Sequence, residues 1–244
     1  MKPEEWISFF VPLIFIALML LESRRAARSF ETVKHWPRIG ILFFVMVVVV
    51  GSIVRLLLPV AWLRQHSALD LSGWSLFASI PAGILTATFF GYWLHRAFHR
   101  FTVLWLGAHQ LHHSAQRVDV AGAYFAHPNE IVLKVGLSTL VGAGLLGLTP
   151  VVAASVGLFV AAASTFQHTN IATPRWLGFF VQRPESHCHH HEFSVHARNY
   201  SDLPLWDMVF GTFHNPATFT GKVGFQLPSA PSVVDLLLMR DVNQ

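Results

Sequence analysis

Three tight histidine groups carry the chemical potential of this sequence. His95-Arg-Ala-Phe-His99 holds two histidines four apart, while His109-Gln-Leu-His112-His113 and His187-Cys-His-His190-His191 each place histidines at i, i+3 and i+4. On a helix these positions share a face, with Cβ atoms about 5–6 Å apart, so that their nitrogens can reach one cation at about 2.0–2.1 Å. One such pair is common in proteins that bind no metal; three in one short chain are not. Eight imidazoles beside apolar segments are costly to bury unpaired, and they repel one another when protonated. Cation binding resolves both problems, because neutral imidazole is the ligand form. Eight ligands exceed the needs of one tetrahedral or octahedral ion, so the pattern predicts two metal ions. Imidazole suits zinc, copper, iron and nickel alike, and the spacing does not choose among them.

The elements that position these groups are membrane helices. Only 12% of the 244 residues are charged and 53% are apolar, with a mean hydropathy of +0.48, whereas a soluble domain carries about 25% charge. The length suits a single domain over 1–244. Its net charge of +4 comes from short basic flanks between apolar runs, which suits a membrane surface and excludes the continuous basic stripe of a nucleic-acid groove. The single cysteine, Cys188, rules out an internal disulfide.

Apolar runs cover Trp6–Leu21, Ile39–Val54 and Trp74–Leu94, the last about twenty residues and long enough for a ~30 Å hydrocarbon core. The first reads as a retained helix and not a signal peptide, since Glu4 and Glu5 spoil a basic leader and no small-x-small site precedes Arg24. Leu56–Trp62 reads as an interfacial piece. Pro81 and Gly83 would bend or loosen the third run. Ile131–Phe166 is apolar apart from Lys134 and is broken at Gly147-Leu148-Thr149-Pro150, which predicts a short membrane hairpin. The expected fold is therefore all-α: about three long transmembrane helices, a short hairpin, and a histidine-rich cap. Arg24, Arg25, Arg28, Lys34 and Arg38 crowd the first loop, against Arg55 and Arg64 in the second, which places the first loop in the cytoplasm. Counting crossings then brings both histidine-bearing stretches, and so the catalytic cap, to the cytoplasmic face.

The boxes and their neighbours resemble the fatty acid hydroxylase/sterol desaturase superfamily. Besides the three boxes, Tyr92-Trp93-Leu94-His95-Arg96 is similar to its first-box lead-in, and His127-Pro128-Asn129-Glu130 to its His-Pro-x-Glu element. Gln167-His168-Thr169-Asn170 looks like the element after its hairpin. Asn199-Tyr200-Ser201-Asp202 and Leu205–Thr212 look like its closing signature. The likeness runs from about Gly91 to Thr212; the run His189-His190-His191 departs from it, since the family usually has a non-histidine first.

The resemblance implies a non-haem di-iron centre that uses O2 to hydroxylate or desaturate an unactivated C–H bond of a lipid. Zinc is the ion such a site would also hold in a purified sample. Carried over by position, the implied ligands are His95, His99, His109, His112, His113, His127, His168, His187, His190 and His191. For His127 the competing role is a helix-start residue. His35, His66 and His214 stand outside the boxes, and His196 reads as a surface or supporting residue. Ligating imidazoles hand their other N–H to an acceptor, for which Glu130, Glu185, Glu192, Asp119, Asp202 and Asp207 are the candidates. Asn170 and Asn199 read as turn or cap residues, Cys188 as inert packing, Trp206 and Phe210 as packing of the cap, and Arg96 and Arg100 as facing headgroups.

The implied partners are a membrane lipid (sterol or hopanoid, acyl chain, carotenoid or ether lipid) and a separate electron donor, a ferredoxin or a b-type cytochrome with its reductase. The expected location is the bacterial inner membrane. Three rivals compete. A membrane zinc hydrolase would place a carboxylate inside its motif, as in H-E-x-x-H, which no box does. A metal transporter would carry histidines at mid-membrane, and a bis-histidine haem protein would show a Soret band.

Overall fold

The computed structural model describes residues 2–195, 197–225 and 232–242, so His196 lies outside the described residues. Every apolar run becomes a helix: α1 (Pro3–Arg25), α2 (Trp36–Leu57), the short α3 (Val60–Gln65) and α4 (Leu76–Arg100). After α5 (Thr102–Leu104), a π-turn at Trp105–His109 runs straight into α6 (Gln110–Ser114). The hairpin consists of α7 (Pro128–Thr139), extended by a π-turn over Leu140–Leu145, and α8 (Pro150–Gln167). Three short helices complete the cap: α9 (Pro184–His190), α10 (Leu205–Val209) and α11 (Val233–Leu237). No strand forms among the described residues; one isolated bridge joins Glu192 to Val223.

Among the described residues, four helices are long and apolar enough to cross a membrane: α1, α2, α4 and α8. The last differs from expectation, since the second arm of the hairpin is itself long enough to be a span. Large apolar side chains such as Phe9, Phe10, Leu42, Val45 and Val49 lie exposed on α1 and α2, where hydrocarbon and not water is their solvent. The chain is a multi-pass membrane protein.

Prolines start α1, α7, α8 and α9 at their first turns, where a missing N–H costs nothing. Thr149 caps α8 by accepting from the Val152 N–H at 3.4 Å. The hairpin reverses at Gly147, whose φ of +60° suits a residue without Cβ. α1 packs along α8, α2 along α7, and α4 against both arms of the hairpin. Gly83 permits the α4–α8 contact: a Cβ there would stand 2.7 Å from Val156 Cγ2.

Aromatic clusters tie the spans to the cap. Phe15 stacks on Phe44 at 4.6 Å, and both meet Tyr124 edge-on. Trp36, Phe43 and Phe125 share a cluster with Leu111, beside the second histidine box. The end of α4 thus enters the cap as one continuous helix, carrying His95 and His99 out of the apolar layer.

Candidate metal centre

Nine of the described histidines gather into two groups. His95, His99, His109, His113 and His190 form one; His112, His168, His187 and His191 form the other. Within each group the ligand nitrogens all lie within 4.8 Å of one another. The i, i+4 pairs stay together (His95 with His99, His109 with His113, His187 with His191), but the i+3 residues His112 and His190 cross to the other group. This corrects the reading of the second and third boxes as single faces; the first box keeps both histidines in one group. At 3.6 residues per turn, i+3 and i+4 point about 100° apart, so one short helix contributes to both groups. The π-turn ending at His109 is of the kind that recurs at functional sites.

Five of the nine grouped rings are held from outside by an acceptor at Nδ1. His95 donates to the Tyr200 carbonyl at 2.7 Å, His190 to Arg198 O at 2.7 Å, His168 to Ser164 O at 2.8 Å and His112 to Phe125 O at 3.3 Å. His109 Nδ1 meets Glu130 Oε2 at 3.1 Å. A carbonyl only accepts, so the proton sits on Nδ1 and the neutral ring presents a bare lone pair at Nε2. Those lone pairs face each other: His95 and His109 Nε2 are 3.0 Å apart, and His112 and His168 Nε2 are 3.2 Å apart. Further Nε2 pairs stand at 3.0–3.1 Å: His113 with His109, His187 with His168, and His191 with His187.

Converging lone pairs repel unless a cation lies between them. Nitrogens 3.0–3.2 Å apart could each reach a shared ion at about 2.0–2.1 Å. The residues therefore fit two metal ions, one offered five imidazoles and the other four. Burial, then neighbouring imidazoles, holds His113, His187 and His191 well below the usual histidine range. Burial does the same for His112 and pushes His168 down to about 4. The rings are thus in the neutral, ligating form.

The structure does not bring His127 to either group. It caps α7 instead: Nδ1 accepts from the Asn129 N–H at 3.1 Å and Nε2 lies 3.2 Å from Leu237 O. With Nδ1 occupied as an acceptor and Nε2 as a donor, neither nitrogen is left for a metal. His189 is also outside, its Nδ1 2.6 Å from Glu192 Oε2 and its ring against His214. His66 stacks on Trp62, and His35 is exposed.

Of the candidate acceptors, Glu130 alone touches a grouped ring, and its Oε1 pairs with Lys134 Nζ at 2.6 Å. Asp207 acts one step removed, accepting the N–H groups of Tyr200 and Ser201 at 2.8 and 2.9 Å and so fixing the carbonyl that holds His95. Glu185 and the buried Arg183 clamp Thr173 ahead of the third box. Asp119 binds Trp36 Nε1 at 2.8 Å. Asn170 and Asn199 are structural: Asn170 ties down Arg28, and Asn199 bridges Ser186 and His214. Cys188 is fully buried beside Val118 and Val223, and burial pushes its thiol up to about 12. Trp206 donates to Thr88 at 3.0 Å and packs on Phe89. Arg96 lies over the Tyr92 and Trp93 rings and donates to Tyr92 Oη at 3.1 Å, where the sequence suggested a headgroup contact.

Sequence reasoning passed over Lys134, the backbone carbonyls of Arg198 and Tyr200, and Glu22. Glu22 Oε2 accepts from Val120 and Asn170 at 3.0 and 2.7 Å and so joins α1 to the cap. The only available signal was a charge at the edge of an apolar run; backbone acceptors leave none.

A cavity of about 150 Å³ reaches the histidines from between the helices. α4 lines it with Ala87, Phe90, Gly91 and Leu94, and the hairpin with Lys134, Leu137, Ser138, Val141, Val160, Ser164 and Gln167. His95, His109, His112, His168 and His187 close it, beside Tyr200 and Asp202.

A family model described as fatty acid hydroxylase matches residues 80–212, more than half of the chain. The chain belongs to the fatty acid hydroxylase family. That match spans most of α4, both arms of the hairpin, every grouped histidine and the closing segment around Asp207. Among curated proteins of this kind, ornithine lipid hydroxylase OlsE of Rhizobium tropici is 30% identical over 172 residues, covering 66% of this chain and 51% of that protein. Human lathosterol oxidase is 27% identical over 201 residues, covering 79% of this chain and 66% of that protein. The chain thus spans about half to two thirds of the length of these two relatives. No solved structure matches.

Proposed function

We propose that this fatty acid hydroxylase family member is an O2-dependent di-iron oxidoreductase acting on a C–H bond of a membrane lipid, as a hydroxylase before a desaturase. One observation carries the reading: bare Nε2 lone pairs converge in two adjoining groups at the closed end of a cavity whose walls are apolar helices. Bound iron would supply O2 activation and the attack on the C–H bond. The chain's own residues do the rest. Backbone carbonyls and Glu130 hold five of the nine rings in one tautomer, the cavity seats the lipid, and burial excludes water. A group of five imidazoles exceeds the four ligands of a closed structural zinc site, and among the described residues no carboxylate joins either group as a hydrolytic base would. The names of the two relatives, a lipid hydroxylase and a sterol oxidase, point the same way.

The proposal extends to orientation and partners. Arg28 in the basic first loop bonds Asn170 and lies 3.6 Å from Glu185, so that loop and the histidines share a side, which the charge bias makes cytoplasmic. A ferredoxin or b-type cytochrome with its reductase would deliver electrons there, and the bacterial inner membrane is the proposed location.

The test is anaerobic loading of purified protein with ferrous iron, then a surrogate reductant, O2 and a membrane lipid extract. Two irons per chain and a lipid product shifted by about +16 or −2 mass units are expected. Stoichiometric zinc with hydrolysed lipid and no O2 uptake would overturn the assignment.

A further inference from the structure

The end of the cavity nearest the histidines is polar in a way that a bare hydrocarbon chain would not use. Lys134, Ser164, Gln167 and Asp202 line it there, Lys134 through its pair with Glu130 and Ser164 through its carbonyl on His168. Gln167 Nε2 donates to Asp202 Oδ1 at 2.8 Å, and Asp202 Oδ2 makes no hydrogen bond among the described residues. Lys134 is already matched, with Glu130 Oε1 at 2.6 Å. The local charges are therefore one ammonium and one carboxylate in contact, and a second carboxylate with an acceptor oxygen left over. A methylene chain laid across these groups would take them from water and give nothing back. An anionic headgroup would meet Asp202 with no spare cation to offset it.

We propose that this polar end receives a neutral hydrogen-bond donor of the substrate, a hydroxyl or amide N–H, which donates to Asp202 and sets the neighbouring carbons before the histidines. The oxidised carbon is then beside a polar donor and not in the middle of an acyl chain, and lipids that present a free carboxylate or phosphate at this point are rejected. Asp202 is a specificity-determining residue in this scheme, and Gln167 holds it in place. The inference rests on the reading of the cavity as a lipid site.

Binding separates this inference from the chemistry. Zinc-loaded full-length protein in nanodiscs would be titrated with three probes of equal chain length: hexadecanol, hexadecane and palmitate. The alcohol is expected to bind at least about tenfold more tightly than either of the others. Asp202→Asn, which turns an amide NH2 toward the cavity, should erase or reverse the preference for alcohol over palmitate with metal content unchanged. Palmitate binding as tightly as the alcohol, equal binding of all three, or an unaltered ranking in a zinc-retaining Asp202→Asn protein would each overturn the proposal. If the variant loses its zinc, the ranking in the unsubstituted protein decides alone. A correct ranking with no lipid oxidation by the iron-loaded enzyme would instead count against the proposed function.

Discussion

Within one turn of sequence, His127 and Glu130 illustrate how residue type and role part company. Both belong to the His-Pro-Asn-Glu element at the start of α7, yet the histidine spends its nitrogens on the helix start and on Leu237 O, while the carboxylate reaches His109. The two substitutions should therefore differ in kind. Glu130→Gln removes the charge that orients and strengthens His109, and metal affinity is expected to fall about 10–100-fold. His127→Ala removes a cap costing about 1 kcal/mol and is expected to leave two metals per chain. Metal analysis of the two purified variants alongside their melting temperatures would show it. Loss of metal from His127→Ala at unchanged stability would put that ring back among the ligands.

The helices explain why so much of the fold, and less of the site, could be read from sequence. Contiguous apolar runs in lipid have one solution, the helix. Trp74–Leu94 therefore located α4, and the break at Gly147–Pro150 located the hairpin. The i, i+4 spacing located the paired ligands too. What spacing cannot carry is which centre the i+3 residues join, because His112 and His190 turn toward rings supplied by distant segments. Contacts through backbone carbonyls, such as Tyr200 O on His95, were equally hidden, since any residue offers one. Close packing of the spans gives a test at this scale. Gly83→Ala places a Cβ 2.7 Å from Val156 Cγ2 across the α4–α8 contact and should cost about 1–3 kcal/mol through overpacking. Gly157→Ala, in the same helix pair but with nothing within 4 Å, should be neutral or stabilising by up to about 1 kcal/mol through helix propensity. Thermal unfolding in detergent would rank the two variants, and equal melting temperatures would contradict the tight contact.

For the molecule as a whole, the cap stores a pH dependence. His168 titrates at about 4 when folded against about 6.5 when unfolded. The unfolded chain therefore binds more protons between those values, and stability falls as pH drops through that window. For His168 alone the loss is on the order of 3 kcal/mol. His112, His113, His187 and His191 act in the same direction. Asp202 and Asp207, both raised by burial to about 6, act oppositely, since protonation below that value relieves a buried charge. Five rings outweigh two carboxylates, so metal-stripped protein should melt progressively lower from pH 7.5 to pH 5. A melting temperature that is flat or rises on acidification would contradict neutral buried rings.

The crossing of His112 and His190 between the centres also bears on assembly. A first ion held by His95, His99, His109, His113 and His190 would immobilise α6 and α9, which carry His112 and His187 and lead into His191, the residues that would hold a second. Occupancy should then be concerted: a sub-stoichiometric ferrous titration, followed by native mass spectrometry, should find empty and doubly loaded molecules with few carrying a single ion.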